Sequence, residues 1–277
     1  MSTLLAPPPL DSAMEARSRS QTVAATAPIA RLRGVTRRYG RATALRDLSL
    51  DLASGSISAV VGRPGAGKSA LLRLLAGEEA PPGDAEVVIP KQSELLPPGA
   101  QLLPWQRVWD GVAEGLPRGW RSADDARRIA SALSAVGLAE EARSWALRLS
   151  DEQNLRAGLA RAILRNPELL LLDDAFHPLR ARSRAALQHL LLDLWRAHRP
   201  TVLFATMDLN EALLLADRIL ILEEGRLIAD LTVDLPRPRA PIDPEFSEAR
   251  SKLLAVLGYD FAVSREPPTP LALEVFL

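Results

Sequence analysis

ISAVVGRPGAGKSALLRLLAG, residues 57–77, reads as three elements in immediate succession. Ile57 to Val61 is a continuous apolar run and a candidate buried strand. Ala70 to Gly77 has helical apolar spacing and ends on a glycine stop. Between them, Gly62, Arg63, Pro64, Gly65, Ala66, Gly67, Lys68 and Ser69, running on into Ala70, fit G-x-x-x-x-G-K-[ST]. In that pattern backbone N–H groups and a helix N-terminus surround phosphates, the lysine reaches the β/γ oxygens, and the serine binds Mg²⁺. The pattern alone is a weak signal. The strand before it and the helix after it make it specific.

A phosphate loop of this kind needs a second Mg²⁺ anchor at the end of a neighbouring strand. ELLLLDD, Glu168 to Asp174, meets that need. Its apolar run places Asp173 for the metal and Asp174 beside the γ-phosphate, where a carboxylate orients or deprotonates the attacking water. The amphipathic run RARSRAALQHLLLDLWRAH and the buried strand TVLFAT follow, returning the chain to a parallel sheet. RILILEE and RLIADLTVDL then meet at Gly225 as a hairpin, and a short amphipathic helix is expected near Glu245 to Leu257. Upstream, IARLRGVTRRY and ALRDLSLDL predict antiparallel strands. Between the loop and Asp173 lie a Pro- and Gly-rich stretch, 81–104, and helical segments expected at 122–136 and 140–149. The expected fold class is α/β, a P-loop nucleotide-binding domain with an antiparallel β subdomain and a helical subdomain. Its expected bounds are 29–235, with the helical part at about 100–160, a disordered tail rich in Ala, Pro, Ser and Thr over 1–28, and a C-terminal extension over 236–277.

Composition removes other classes. The formal net charge is zero with 25% charged residues, which argues against nucleic acid as a partner. With no cysteine there is no disulfide, thiolate metal site or cysteine nucleophile, and the three histidines, His177, His189 and His198, lack metal-ligand spacing. Basic residues are almost all arginine, the lysines being Lys68, Lys91 and Lys252. A lysine inside the glycine loop therefore suggests that a compact ammonium is needed there. No apolar run is long enough to span a membrane and the N-terminus lacks a secretory pattern, so a cytoplasmic protein is expected, able to sit on a membrane through a partner.

With these residues in place the chain resembles the ABC ATPases, in particular those of nitrate, sulfonate and taurine importers, with the aliphatic-sulfonate branch nearest. The resemblance runs from about Leu32 to Gly258 and rests on VVGRPGAGKSALLRLLAG, LLPWQRVWDGV around Trp105, LARAILRNPELLLLDD, EALLLADRILILEEG and DLTVDLPRPR. Gln153, ending LSDEQ, keeps the family's spacing to Asp173. The resemblance implies an ABC-type nucleotide-binding domain that takes ATP and Mg²⁺, with Tyr39 stacked on adenine. Ser150, Asp151, Glu152 and Gln153 become the signature segment, which closes on a second subunit's nucleotide in a homodimer. It also implies integral-membrane permease subunits, a periplasmic solute-binding protein acting indirectly, and a peripheral place on the cytoplasmic face of the inner membrane with LLPW nearest the permease.

Six residues at five functional sites, the two in the signature segment counted as one site, depart from the family's pattern. Its signature L-S-G-G-Q carries Asp151 and Glu152 here, two carboxylates where a polyphosphate would approach, although acids also suit the first turn of a helix. Its catalytic glutamate is Asp174, and its γ-phosphate histidine is Met207, which lacks a charged contact. Pro98 stands for its Mg²⁺-touching glutamine, with Gln101 nearby, and Arg180 for the aspartate of the following loop. Two functions follow: a transport ATPase energising import of a sulfonate-like solute, or a nucleotide-binding structural or regulatory subunit with little hydrolysis. A P-loop kinase or GTPase has no acceptor site or guanine-reading motif in this chain.

Overall fold

The computed structural model describes residues 28–83, 85–99, 101–117 and 120–256. The expected tail, except residue 28, and the extension beyond 256 lie outside those residues.

Two sheets organise the chain. The first is three-stranded and antiparallel, ordered β2-β1-β4, from β1 (Ala30–Tyr39), β2 (Ala42–Leu52) and β4 (Glu86–Val88). β1 and β2 realise the expected antiparallel pair, in a register that sets Leu32 against Leu50 and Tyr39 against Ala42. The second has six strands ordered β5-β6-β7-β3-β8-β9: β5 (Ser93–Leu96), β6 (Leu169–Asp173), β7 (Thr201–Thr206), β3 (Ile57–Val61), β8 (Arg218–Glu223) and β9 (Arg226–Thr232). All its pairings are parallel except that of β9 with β8, the hairpin expected at Gly225.

Every residue of β3, β6 and β7 is buried, which is why these segments read as unbroken apolar runs. Ile57, Ala59 and Val61 face a core shared with the helices α2 (Val108–Ala113), α3 (Ala123–Ala135), α4 (Asp151–Arg165), α5 (Ala181–His198), α6 (Leu209–Leu215) and α7 (Pro244–Val256). Val60 faces the other core, filled by α1 (Lys68–Leu75) and the inner side of β1 and β2. Phe246 and Leu253 bury α7 in the first core, so this helix packs on the same body.

Two expectations need correction. The stretch 81–104 contains β4 and β5. In β5 the buried Glu94, paired with Arg165 at 2.5 Å and Arg161 at 3.8 Å, interrupts the apolar signal of a short edge strand. The segment 140–149 forms two 3₁₀ turns, Glu140–Arg143 and Ala146–Arg148, with extended backbone at Ser144 and Trp145 between them. Its backbone is already committed: Val108 N donates to Ser144 O and Ala146 N to Gln106 O, while the Arg107 guanidinium lies 3.8 Å from the centre of the Trp145 ring. A continuous helix would need those same groups.

Candidate functional site

The phosphate loop leaves β3 and turns into α1 through Gly67, whose φ of +104° belongs to glycine. An added Cβ there would lie 2.2 Å from Ala44 O, and one on Gly62 would lie 2.3 Å from Leu222 O. β2 and β8 thus clamp the loop from both sides, so its glycines are required by close approach as well as by torsion. Lys68 is buried, and its Nζ donates to Gly62 O at 2.8 Å and Arg63 O at 3.3 Å. The ammonium closes the loop on itself, pointing across the concavity its backbone encloses.

The acid strand is not β3's immediate neighbour, as β7 lies between. Asp173 nevertheless comes to the loop, because α1 packs back over β6 and Ser69 Oγ donates to Asp173 Oδ1 at 3.0 Å. A hydroxyl and a carboxylate oxygen side by side are a hard-oxygen donor set that suits Mg²⁺, a cation held by one or two carboxylates together with substrate phosphates. Asp174 follows with a left-handed φ of +45°. Burial pushes its carboxyl up and the neighbouring Asp173 charge adds to this, against the opposing pull of Lys68 and His177. A carboxylate so raised is a better proton acceptor.

Met207 follows β7, is 42% exposed, and lines a cleft of about 630 Å³ with the loop backbone from Gly62 to Ala66. Asp208 does not replace the missing side chain, being spent as the cap of α6: its Oδ1 accepts from Asn210 N at 2.9 Å and its Oδ2 from Arg184 at 3.4 Å. Gln101 is also committed. It is buried, and its amide nitrogen donates to Pro97 O at 2.6 Å and Gly99 O at 3.1 Å, while its Oε1 has no hydrogen-bond partner among the described residues.

A group that sequence reading missed supports the turn carrying Met207. Glu211 is buried and accepts from Thr206 Oγ1 at 2.5 Å and Gln188 Nε2 at 2.9 Å, while Thr206 Oγ1 accepts from Asp208 N at 3.0 Å. An acid three residues beyond a helix cap and followed by an apolar run was the available signal. Burial pushes the Glu211 carboxyl up, and its two hydrogen bonds only partly offset that. A raised carboxyl pKa favours the neutral form in the fold, so the stability it gives is complete below the unfolded value near 4.5 and is lost as pH rises through the folded pKa. Glu211→Gln, which keeps both bonds with reoriented amides, is therefore expected to be more stable than the native chain at neutral pH. Urea unfolding at a series of pH values should show that advantage vanish toward pH 4.5; an advantage independent of pH would refute the assignment.

Ser150 caps α4 in a reciprocal box with Gln153, whose Nε2 also donates to Glu141 at 2.9 Å. Glu152 turns along its own helix to Arg156 at 2.8 Å, and a Ser183 hydrogen bond together with Arg156 holds its carboxyl below the usual range. Asp151 is exposed, and none of residues 150–153 lines the cleft beside the phosphate loop. Tyr39 ends β1 with its hydroxyl on Glu79 at 2.6 Å, and Arg37 lies 5.6 Å from the ring centre while pairing with Glu79 at 2.8 Å. On the helical side Trp105 and Leu147 are 69% and 77% exposed, joined through Leu147 N to Pro104 O. No helix among the described residues is long and apolar enough to cross a membrane.

The family described as ABC transporter matches residues 45–177. The aliphatic sulfonates import ATP-binding protein SsuB 2 of Nocardia farcinica is 46% identical over 237 residues, covering 85% of this chain and 97% of that protein. The protein SsuB of the same description from Granulibacter bethesdensis is 43% identical over 231 residues, covering 83% and 95%. Among solved structures, the ATP-binding cassette MJ1267 superposes with a TM-score of 0.71 at 18% identity over 84% of this chain and 99% of that one. The dimeric cassette MJ0796 bound to ADP and Pi gives 0.64 at 24% identity over 75% and 100%. These two establish the fold. The phosphate loop lies inside the matched family segment and the relatives span nearly the whole described body, so the chain belongs to the ABC transporter family, as one of its ATP-binding subunits.

Proposed function

We propose that this chain hydrolyses ATP to energise an importer of aliphatic sulfonates. The observation that carries the reading is the hydrogen bond between Ser69 and Asp173, which joins a glycine loop and a strand-end acid 104 residues apart. In this reading the loop backbone and Lys68 hold the β- and γ-phosphates, and Ser69 and Asp173 hold Mg²⁺, which would neutralise phosphate charge. Asp174 orients the attacking water and takes its proton, and Tyr39 offers its ring to adenine. Residues 29–235 form the ATP-binding unit, with about 100–160 as its helical part. Ser150 to Gln153 close on the nucleotide of a second copy. The exposed Trp105 and Leu147 ridge takes an apolar segment of a membrane permease, which sets the chain on the cytoplasmic face of the membrane. The solute names on the relatives, both aliphatic sulfonates, support the choice of cargo.

The test is steady-state ATP hydrolysis by the purified chain, alone and with its permease in liposomes supplied with a solute-binding protein. Stimulation by permease and a further rise with an alkanesulfonate are expected. Nucleotide binding without stimulation by any solute would sink the import reading. Stimulation by nitrate or sulfate alone would reassign the cargo.

A further inference from the structure

LPRPR, Leu235 to Arg239, has no part in that reaction, yet its arginines hold a defined place. Arg239 Nη1 donates to Leu213 O and Ala216 O, each at 2.6 Å, and Nε donates to Leu235 O at 2.9 Å. Arg237 donates to Leu215 O and pairs with Asp217 at 2.6 Å. The segment thereby satisfies the orphan carbonyls at the end of α6. Beside it opens a cleft of about 520 Å³ lined by Arg196, Arg199, Arg237, Arg239 and Trp195.

Charge in this cleft is only partly compensated. Of its four guanidiniums, Arg196 pairs with Asp193 at 3.0 Å and Arg237 with Asp217 at 2.6 Å, and Asp217 also accepts from Ile57 N. Neither Arg199 nor Arg239 has a carboxylate partner among the described residues. Arg199 lies 4.3 Å from the centre of the Trp195 ring and its side chain makes no hydrogen bond among the described residues, where Arg237 Nε is likewise buried without a partner. Burial and the Arg237 charge pull Arg239 down to about 10, a strain that an anion would relieve. Arg forks match multi-oxygen anions better than any other side chain. The cleft is also remote from the phosphate loop. It opens where β7 and β8 begin, whereas the loop leaves the far end of β3, which runs parallel to both. A five-residue strand separates the two edges by roughly 17 Å.

We infer that this cleft binds a small oxyanion of the sulfate, phosphate or sulfonate class, its oxygens on the Arg196, Arg199 and Arg239 guanidiniums. Val233, Leu235 and Pro236 form the wall against which a short alkyl substituent would rest. An anion held there shares guanidiniums with the carbonyls of α6, the helix that follows Met207.

The experiment is calorimetric titration of the full chain, its phosphate loop saturated with a non-hydrolysable ATP analogue, with sulfate, phosphate or ethanesulfonate at constant ionic strength. Saturable binding at one site is expected, weakened about tenfold or more by Arg199→Gly, since each charge-assisted fork is worth that much. Gly suits the left-handed φ of +54° at this position, so the fold is retained, and Arg196→Ala is the second probe. Arg127→Ala, an equal charge change at an exposed side chain of α3, should leave the affinity alone. Ethanesulfonate tighter than sulfate assigns an organic anion, and the reverse order an inorganic one. The inference is overturned by absent saturation, by equal losses in Arg199→Gly and Arg127→Ala, or by binding that Lys68→Ala abolishes.

Discussion

Lys68→Ala is expected to lower kcat/KM for ATP by about 10³-fold or more, the loss of a preorganised donor at developing oxyanion charge. The ammonium is buried and rests on Gly62 O and Arg63 O, so it is already aimed into the loop before any phosphate arrives. Lys68→Arg should not rescue, because a planar guanidinium does not fit where a compact ammonium closes a tight loop. Hydrolysis and thermal melting measured together separate chemistry from folding. A well-folded Lys68→Ala that turns over within tenfold of the native chain would remove the loop from the reaction.

The second large effect runs the other way. Asp151→Gly, Glu152→Gly, Asp174→Glu and Met207→His combined are expected to raise kcat by about 10²-fold or more, because a positioned hydrogen bond alone is worth about that much and a better-reaching base adds to it. The Met207 thioether, at the mouth of the cleft, has no charged contact to offer, and Asp208 is tied to α6 and cannot supply one. The two signature substitutions should contribute unequally. Glu152 is paired with Arg156 and held by a Ser183 hydrogen bond, whereas Asp151 stands exposed at the helix tip, so Asp151→Gly is expected to carry most of the gain in dimer closure. If kcat stays level in the combined variant, the chemistry does not depend on positions 174 and 207.

What was legible in the sequence was what packing makes monotonous. β3, β6 and β7 are buried on both faces and therefore announced themselves, and the loop between β3 and α1 followed from its glycines. Less legible were elements whose reason lies in distant partners. β5 is held as a strand by β6 and by Arg165, neither local to it. The turns after Glu140 are fixed by Arg107 and Gln106. The commitments of Gln101 and Asp208 were invisible for the same reason: a side chain's free donors depend on the carbonyls folded around it. The acid expected at the end of a neighbouring strand does meet Ser69, although β7 separates its strand from β3.

That separation has a temporal side. On a ribosome adding about 5–20 residues per second, Lys68 and Ser69 emerge several seconds before Asp173, and the intervening β7 is made later still. A nascent chain ending before residue 173 thus carries the glycines and the lysine of a nucleotide cradle without the acid that completes it. A nucleotide that needs both the loop and the strand-end acid binds the folded chain and not the unfinished one, and by mass action it stabilises only the former. Completion of the central sheet is thus the step at which such a ligand begins to favour the fold.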